Sequence, residues 1–175
     1  MPHPVVEQLR FTRDEWRRGL RGVTDEDGSH HCGRMNSIGW IVGHLTWQEQ
    51  RYLLHRPQGI MLYPDVHRQF AFRAPKSTPS LAQMLRAWRR VTRATEPFLE
   101  SLTAPELLED LPVDGQPTGQ SLGSAICRLT YHYWFHIGEI QAVRQMLDNQ
   151  RLPTYVGNLE GKAPYRPEQL AKPMI

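Results

Sequence analysis

The sequence predicts an all-α protein built as a four-helix bundle. Four long segments carry large apolar residues at spacings of three and four, which is the period of an amphipathic helix. Glycines and prolines separate these segments, and no stretch shows convincing strand alternation. Four amphipathic helices bury their apolar stripes by packing around a shared core. We therefore expect one domain over residues 1–175, with the bundle at about 5–149 and an irregular tail at 150–175.

Length and composition are those of an ordinary globular protein. A chain of 175 residues is the length of one domain. A domain of this size buries about 70% of the surface that its unfolded chain exposes. The formal net charge of +3 is spread along the chain, so no nucleic-acid partner is expected. No apolar run approaches the roughly 18 residues of a membrane span, and the N-terminus lacks a signal-peptide pattern. With two cysteines and no CxxC pair, these features predict a cytoplasmic protein without a membrane partner.

The first two long helices have recognisable boundaries. The first is predicted over residues 5–20, and the polar stretch 24–35 is predicted to be a loop. Asn36 or Ser37 can cap the second helix by accepting a hydrogen bond from an otherwise unpaired backbone N–H. This helix is predicted to end at about Arg56, because a proline follows.

A long connection over residues 58–77 precedes the third helix. Connections of this length act as functional lids or as crossovers, and a crossover would let two successive helices run parallel. A short hairpin within this connection is an alternative. Ser77 or Thr78 is predicted to cap the third helix, which extends to Leu102 with a kink at Pro97.

The fourth long helix carries the most informative pattern in the chain. A capping box at Thr103–Glu106 predicts a short helix, and a turn-rich connection leads to the fourth long helix over 121–149. His132 and His136 lie four residues apart on its predicted buried stripe, and this spacing lets two imidazoles share one metal ion. Burying two unpartnered imidazoles costs a few kcal/mol, so a core would not keep them for packing alone.

A third candidate ligand is His44, at the edge of the buried stripe of the second helix. A lone histidine there is more often a hydrogen-bonded core residue, and only the pair His132 and His136 makes it a ligand candidate. Three neutral imidazoles leave coordination positions for water or substrate, which is typical of a catalytic rather than a structural site. Zinc, nickel, iron and manganese all accept histidine ligands, so one divalent metal ion of open identity is expected.

Polar residues near these histidines are candidates for substrate binding and catalysis. Gln48 and Arg51 share a face with the first histidine, and Arg128 lies four residues before the pair; all three are candidates for substrate binding. Glu139, three residues after the pair, could orient an imidazole or act as a base. Salt bridges at the surface or between helices are the alternative for the charged residues.

Several other side chains have two possible roles. Trp40, Trp47, Tyr131 and Tyr133 could line the mouth of a pocket, although aromatic residues at helical spacing more often pack in a core or a dimer interface. Cys127 is predicted to point away from the histidines and to be a packing residue rather than a nucleophile.

Two segments together resemble the DinB/YfiT-like superfamily. They are residues 37–45, SIGWIVGHL, and residues 132–140, HYWFHIGEI. In that family one histidine in the second helix and an HxxxH pair, commonly followed by Gly-Glu/Gln-Ile, bind a divalent metal in an up-down-down-up bundle. The resemblance implies the same topology here, with His44, His132 and His136 as the metal ligands.

The resemblance implies several activities. Similar proteins include thiol S-transferases that use bacillithiol or mycothiol, mycothiol-dependent isomerases, metal-dependent hydrolases and the histidine-binding half of ergothioneine-synthesising enzymes. We expect first a thiol-dependent S-transferase of detoxification or stress response, with a small-molecule substrate and a low-molecular-weight thiol cosubstrate. A metal-dependent hydrolase and a non-catalytic metal-binding stress-response module are the alternatives. The family resemblance also implies a homodimer.

Overall fold

A computed structural model describes residues 2–149 and 151–165, and helices dominate this part of the chain. No strand forms among the described residues, where two isolated bridges join Asp110 to Ser121 and Val113 to Gln116. The predicted all-α fold is confirmed, and the alternative of a hairpin in the long connection is wrong. Within the same residues, no helix combines the length and the apolar character needed to cross a bilayer.

Four long helices form the frame of the molecule: α1 (Pro4–Gly19), α3 (Ile38–Glu49), α6 (Leu81–Ser101) and α8 (Leu122–Met146). A π-helical segment, Gln50–His55, joins α3 to α4, so that these three run as one long helix. The short helices are α2 (Asp25–Ser29), α4 (Arg56–Gln58), α5 (Pro64–Gln69), α7 (Ala104–Leu108) and α9 (Leu159–Lys162).

Helices α1 and α8 run in the same direction. The ring of Phe11, near the middle of α1, lies 6.2 Å from that of Trp134 in the middle of α8. At the far end, Arg144 donates a hydrogen bond of 2.6 Å to the carbonyl of Gly19. The contacts advance along both helices together, which makes the pair parallel.

Helix α3 runs against α8. Asn36, just before α3, donates to Glu139 in the second half of α8. At the opposite end, Arg56 donates to Gln120, just before α8 begins. Since the start of one helix meets the end of the other, the two are antiparallel, and residues in the middle of each come face to face.

Helices α3 and α6 are parallel. The hydroxyl of Ser37, which caps α3, donates to the carbonyl of Ser77, shortly before α6 begins. Arg13 binds both Glu49, at the end of α3, and Glu96, near the end of α6. The order is therefore up, down, down, up, as predicted, and the connection between α4 and α6 is a crossover along the bundle.

Some predicted boundaries are wrong for local reasons. The second long helix does not stop at Pro57, because the π-helical segment leads into a new α-helical turn in which proline needs no N–H. This helix ends at Gly59, whose φ of 70° favours glycine. Ser80, rather than Ser77 or Thr78, caps α6 by accepting from the backbone N–H of Gln83.

The short helices α2, α5 and α9 lie in segments predicted to be a loop, a connection and an irregular tail. Thr24 and Asp27 form a capping box that starts α2 in the predicted loop. The tail follows an irregular path over α1 apart from the single turn of α9, and Gln8 donates to the carbonyl of Ala163. Residues 166–175 of the predicted tail lie outside the described residues.

A network of buried polar side chains joins all four long helices. Arg13 of α1 forms a two-bond ion pair with Glu49 of α3, at 2.7 and 2.6 Å. Tyr133 of α8 donates to the same carboxylate at 2.7 Å, and Trp88 of α6 donates to the Tyr133 hydroxyl at 2.6 Å. Burial lowers the pKa of Arg13, but the charge and hydrogen bonds of Glu49, together with Tyr133 and Glu96, raise it above its ordinary value, so the guanidinium stays charged.

Candidate metal centre

His132 and His136 lie one turn apart near the middle of α8. Ser121 caps this helix by accepting from the backbone N–H of Ser124, and its apolar face holds the helix in the core. Side chains four residues apart on a helix are neighbours. The two Nε2 atoms lie 3.0 Å apart, so these nitrogens point at one another.

His44 reaches the same point from α3. The ring centroid of His44 lies 5.1 Å from that of His132 and 5.5 Å from that of His136. One nitrogen from each of the three histidines can be chosen such that all lie within 4.8 Å of one another. The antiparallel packing of α3 on α8 thus builds a three-imidazole cluster that could hold a metal ion.

A backbone carbonyl in the crossover orients the His44 ring. His44 Nδ1 lies 2.7 Å from the oxygen of Phe70, and a carbonyl only accepts, so Nδ1 carries the proton and donates. The Nε2 lone pair of His44 is therefore free to bind a metal ion. This arrangement is the common way in which proteins set the tautomer of a metal-binding histidine.

A carboxylate performs the same task for His136. Glu139 Oε2 accepts a hydrogen bond of 2.7 Å from His136 Nδ1, and Asn36 holds the other carboxylate oxygen at 3.1 Å. Burial alone would raise the pKa of Glu139, but the bonds from His136 and Asn36 lower it below its ordinary value. Glu139 is thus ionised at neutral pH and directs the His136 Nε2 lone pair into the cluster.

His132 differs from the other two histidines. Its Nδ1 atom is buried and has no hydrogen-bond partner among the described residues. The Nε2 atoms of His132 and His136, 3.0 Å apart, must share a proton unless a cation lies between the imidazoles. An unpartnered buried polar atom costs about 1–3 kcal/mol, so this arrangement is not optimised for stability and fits a ligand site.

The pKa values of His44 and His132 lie well below that of free histidine. Burial lowers the pKa of His44 to about 4, although the bond to Phe70 opposes the shift. Burial, with the proximity of His136 and His44, lowers the pKa of His132 to about 3. Both imidazoles are neutral at pH 7, and neutral imidazole is the form that binds metal.

Close packing supports the His44 side of the cluster. The indole of Trp40 stacks on the His44 ring with centroids 4.9 Å apart and planes 10° apart. A Cβ atom at Gly43 would lie 2.7 Å from the Phe70 ring, which only a glycine allows. The missing side chain at position 43 therefore lets the crossover approach α3 closely enough for its carbonyl to reach His44.

An open cleft of about 1900 Å³ reaches the cluster. His44 and His132 lie on its surface, whereas His136 is buried behind them. Its other walls come from the π-helical segment, α7, the connection between α7 and α8, and the first turns of α1 and α8. The three imidazoles therefore stand at the boundary between the core and a space large enough for a small-molecule ligand.

Comparison with known protein families decides the membership of the chain. The family model of the DinB superfamily matches residues 3–140, a span that contains all three histidines. The chain belongs to the DinB superfamily. Among curated proteins, none matches it. The identification of this family from the sequence is therefore confirmed.

The predicted substrate-binding residues of this DinB-superfamily protein all line the cleft. Gln48, Arg51 and Arg128 lie on its surface together with His44 and His132. Glu139 lies behind the cluster as the partner of His136 and does not line the cleft. Their roles in binding and catalysis stay predictions.

The aromatic candidates divide between the cleft and the core. Trp47 and Tyr131 line the cleft, whereas Tyr133 is fully buried in the polar network and Trp40 lies behind His44. Cys127, predicted to be a packing residue that points away from the histidines, is half-buried and lines the cleft. Burial raises the pKa of its thiol, so Cys127 is a neutral wall residue at neutral pH.

Three contributors to the centre were not recognised from the sequence. The Phe70 carbonyl has no sequence signal, because it is a main-chain group. Asn36 is predicted only as a candidate helix cap, whereas in the structure it holds Glu139. Trp40 precedes His44 by four residues, and this helical spacing could have indicated the stacking.

Proposed function

We propose that this DinB-superfamily protein is a divalent-metal-dependent enzyme that activates a thiol, and specifically a thiol S-transferase acting on small molecules. The main support is that one nitrogen from each of three imidazoles lies within 4.8 Å of the others at the wall of an open cleft. Sites with three histidines at a cleft leave positions for exogenous ligands. In line with the family, we place its activity in detoxification or stress response, in the cytoplasm.

The roles of the residues follow from their contacts. His44, His132 and His136 would hold the metal through Nε2, and the Phe70 carbonyl and Glu139 keep the outer nitrogens of two rings protonated. A bound divalent metal supplies Lewis acidity that lowers the pKa of a thiol or a water molecule. Neutral ligands do not reduce the charge of the metal, which strengthens this effect.

The composition of the cleft favours a thiol over water as the nucleophile. No aspartate or glutamate occurs among the described residues that line the cleft. Glu139, the nearest carboxylate to the cluster, is engaged by His136 and Asn36 and is not free to accept a proton from a nucleophile. A thiol, with an ordinary pKa of about 8.5, needs far less help to ionise than water does.

Metal analysis tests the proposed centre. Protein purified from metal-replete medium should carry about one divalent metal ion per chain, and His136→Ala should lose most of it. His30→Ala, a change of an exposed histidine, is the control and should retain the metal. Equal metal content in the wild type and His136→Ala would refute the centre.

Activity assays distinguish the candidate reactions. The metal-loaded protein would be incubated with several low-molecular-weight thiols and an electrophilic acceptor, and loss of free thiol would be followed. Turnover that depends on both thiol and metal supports the transferase. Turnover of ester or amide substrates without thiol would identify the hydrolase instead, and metal binding without turnover in either assay would identify a non-catalytic module.

Self-association is a separate proposal. Tyr131 and Phe135 are exposed one turn apart on α8 and offer an apolar surface that a second copy could bury. Analytical ultracentrifugation of the wild type and of Phe135→Ser tests for a homodimer. A monomer at all concentrations would refute it.

A further inference from the structure

The charge of the cleft is one-sided. Arg51, Arg56 and Arg128 line it, and the described lining residues include no acidic side chain. The neutral imidazoles at its wall add no negative charge, and a bound divalent cation would add positive charge. A concave surface with one sign of charge concentrates ligands of the opposite sign.

Arg56 is already occupied by the protein. Its guanidinium donates to the carbonyls of Leu111 and Pro112 and to the side chain of Gln120. These bonds fix the connection before α8 and form one wall of the cleft. Arg56 is therefore a structural residue, because three of its five N–H donors are already engaged by the protein.

Arg51 and Arg128 remain available. Neither guanidinium forms a hydrogen bond or an ion pair with a described residue. The Arg51 guanidinium lies over the rings of Trp47 and Tyr52, with its carbon 5.2 and 5.3 Å from their centroids. Stacking uses the face of a guanidinium and leaves its N–H edge free, so Arg51 is held in place ready to bind a planar anion.

An apolar rim surrounds the charged interior. It consists of Phe72, Leu108, Tyr131 and Phe135, which are between 67% and 81% exposed although all are large and apolar. These residues come from the crossover, α7 and α8, so three separate elements place apolar groups around one opening. An exposed apolar patch beside a cleft is typical of a ligand-binding surface.

We propose that the cleft binds a small organic anion whose charged group pairs with Arg51 and Arg128 and whose apolar body lies against the apolar rim. This inference rests on the proposed function, because it assigns a class of acceptor or thiol substrate to the same cleft. The charged group is a carboxylate or a phosphate, and both offer the paired oxygens that guanidinium groups recognise.

Binding measurements with matched probes test the inference. Phenylpropanoate, its neutral amide phenylpropanamide, and phenyl phosphate would be titrated into the protein, with intrinsic tryptophan fluorescence and calorimetry as readouts. At least one anion should bind about tenfold more tightly than the amide, and the tighter of the two identifies the charged group. Equal affinity for the anions and the amide would overturn the proposal.

Substitutions assign the preference to the two arginines. Arg51→Gln and Arg128→Gln should each weaken anion binding about tenfold and leave amide binding unchanged. Arg93→Gln, on the exposed face of α6 away from the cleft, is the matched control and should change neither. Anion preference that survives both cleft substitutions would overturn the proposal. If Arg51→Gln fails to fold, the exposed Arg128 decides the outcome.

Metal content separates this inference from the proposed function. The titrations would be repeated after chelator treatment, because a bound metal also attracts anions. An arginine-dependent preference in both forms supports the inference even if the protein proves to take up no metal. Normal metal uptake without any anion preference would leave the proposed centre intact and refute the anion site alone.

Discussion

The three histidines differ in what holds their outer nitrogens, and this predicts unequal sensitivity to substitution. Glu139→Ala removes the acceptor of the His136 Nδ1–H, which frees the ring to rotate. Loss of such a partner typically weakens metal binding about 10–100-fold. We expect the zinc affinity of Glu139→Ala to fall by a factor in this range, measured by competition with a metal indicator. The affinity of Glu139→Gln should fall less.

Glu26→Gln is the control for these variants, since Glu26 is an exposed residue of α2 far along the chain from the cluster. Its zinc affinity should equal that of the wild type. Unchanged affinity in Glu139→Ala would show that the His136 ring is held by packing alone.

Acid should destabilise the metal-free protein at pH values where free histidine titrates. The pKa of His44 is about 4 and that of His132 about 3 in the folded chain, against about 6.5 when unfolded. Below pH 6.5 the unfolded chain therefore binds more protons, so stability is complete above this pH and falls as the pH approaches 4. Each histidine contributes up to about 1.4 kcal/mol per pH unit.

Urea unfolding with chelator at pH 7 and pH 5 measures this effect. His44→Gln should lose less stability between the two pH values than the wild type does, whereas His30→Gln, an exposed control, should lose as much. A wild type that is equally stable at both pH values would contradict the burial of neutral imidazoles.

At the scale of residues, the sequence predicted which residues belong to the candidate site better than it predicted the groups that they contact. The three histidines were found because helical spacing places side chains four apart on one face. The arginines and Gln48 were found for the same reason. That Cys127 lines the cleft does not follow from helical spacing, because a cleft between helices exposes more than one row of each helix.

At the scale of elements, substitution by alanine is predicted to have opposite effects at two glycines, one where α3 meets the crossover and one on the open face of α8. A Cβ at position 43 would meet the Phe70 ring at 2.7 Å, so Gly43→Ala must push the crossover away. We expect a loss of about 1–3 kcal/mol in the free energy of unfolding, together with weaker metal binding. Chemical denaturation and metal titration measure the two effects.

Gly138→Ala is the matched helical control. Nothing lies within 4 Å of a Cβ there, and Gly138 is inside α8 between His136 and Glu139. Alanine should stabilise the protein by about 0.5–1 kcal/mol, because glycine loses more backbone freedom in a helix. Equal effects at positions 43 and 138 would show that Phe70 moves aside freely.

Helices were predicted well where a periodic stripe was long, and poorly where a local departure decided the boundary. The stripe on the second helix could not reveal the π-helical segment Gln50–His55, because one widened turn barely alters an apolar pattern. Short helices such as α2 and α5 bury too few residues to show a period, although the capping box at Thr24 was a usable signal.

At the scale of the whole molecule, the ion pair in the core predicts a large cost for removing one partner. Glu49 is fully buried and Arg13 nearly so, and Glu49→Gln would leave the guanidinium without its main counter-charge. Breaking a buried pair in this way costs about 3–5 kcal/mol. Urea unfolding at neutral pH measures the loss.

The control is a surface ion pair that also begins on α1. Arg10 of α1 binds Glu100 of α6, whose side chain is 59% exposed, and exposed pairs contribute only about 0–1 kcal/mol. Glu100→Gln should therefore be nearly neutral. Comparable losses in the two variants would contradict the assignment of the Arg13–Glu49 pair as the buried one.

The topology was predictable, but the polar network was not. A connection of some twenty residues between two amphipathic helices indicates a crossover, and the resemblance to the family implied the helix order. Arg13 and Glu49 are far apart in sequence and look like solvent-facing charges. Only the packing of four helices shows that they meet inside.

His44 donates to a main-chain carbonyl, whereas His136 donates to a side chain, so substitutions affect the orientation of these two rings differently. Every residue type has a main-chain carbonyl oxygen, whatever its side chain. No single substitution at position 70 therefore deletes this acceptor. The acceptor of His136 is a side chain, and one codon change removes it. As sequences drift, the α8 side of the centre should therefore lose its orientation before the α3 side, and variants with altered metal preference should arise at position 139 more readily than at position 70.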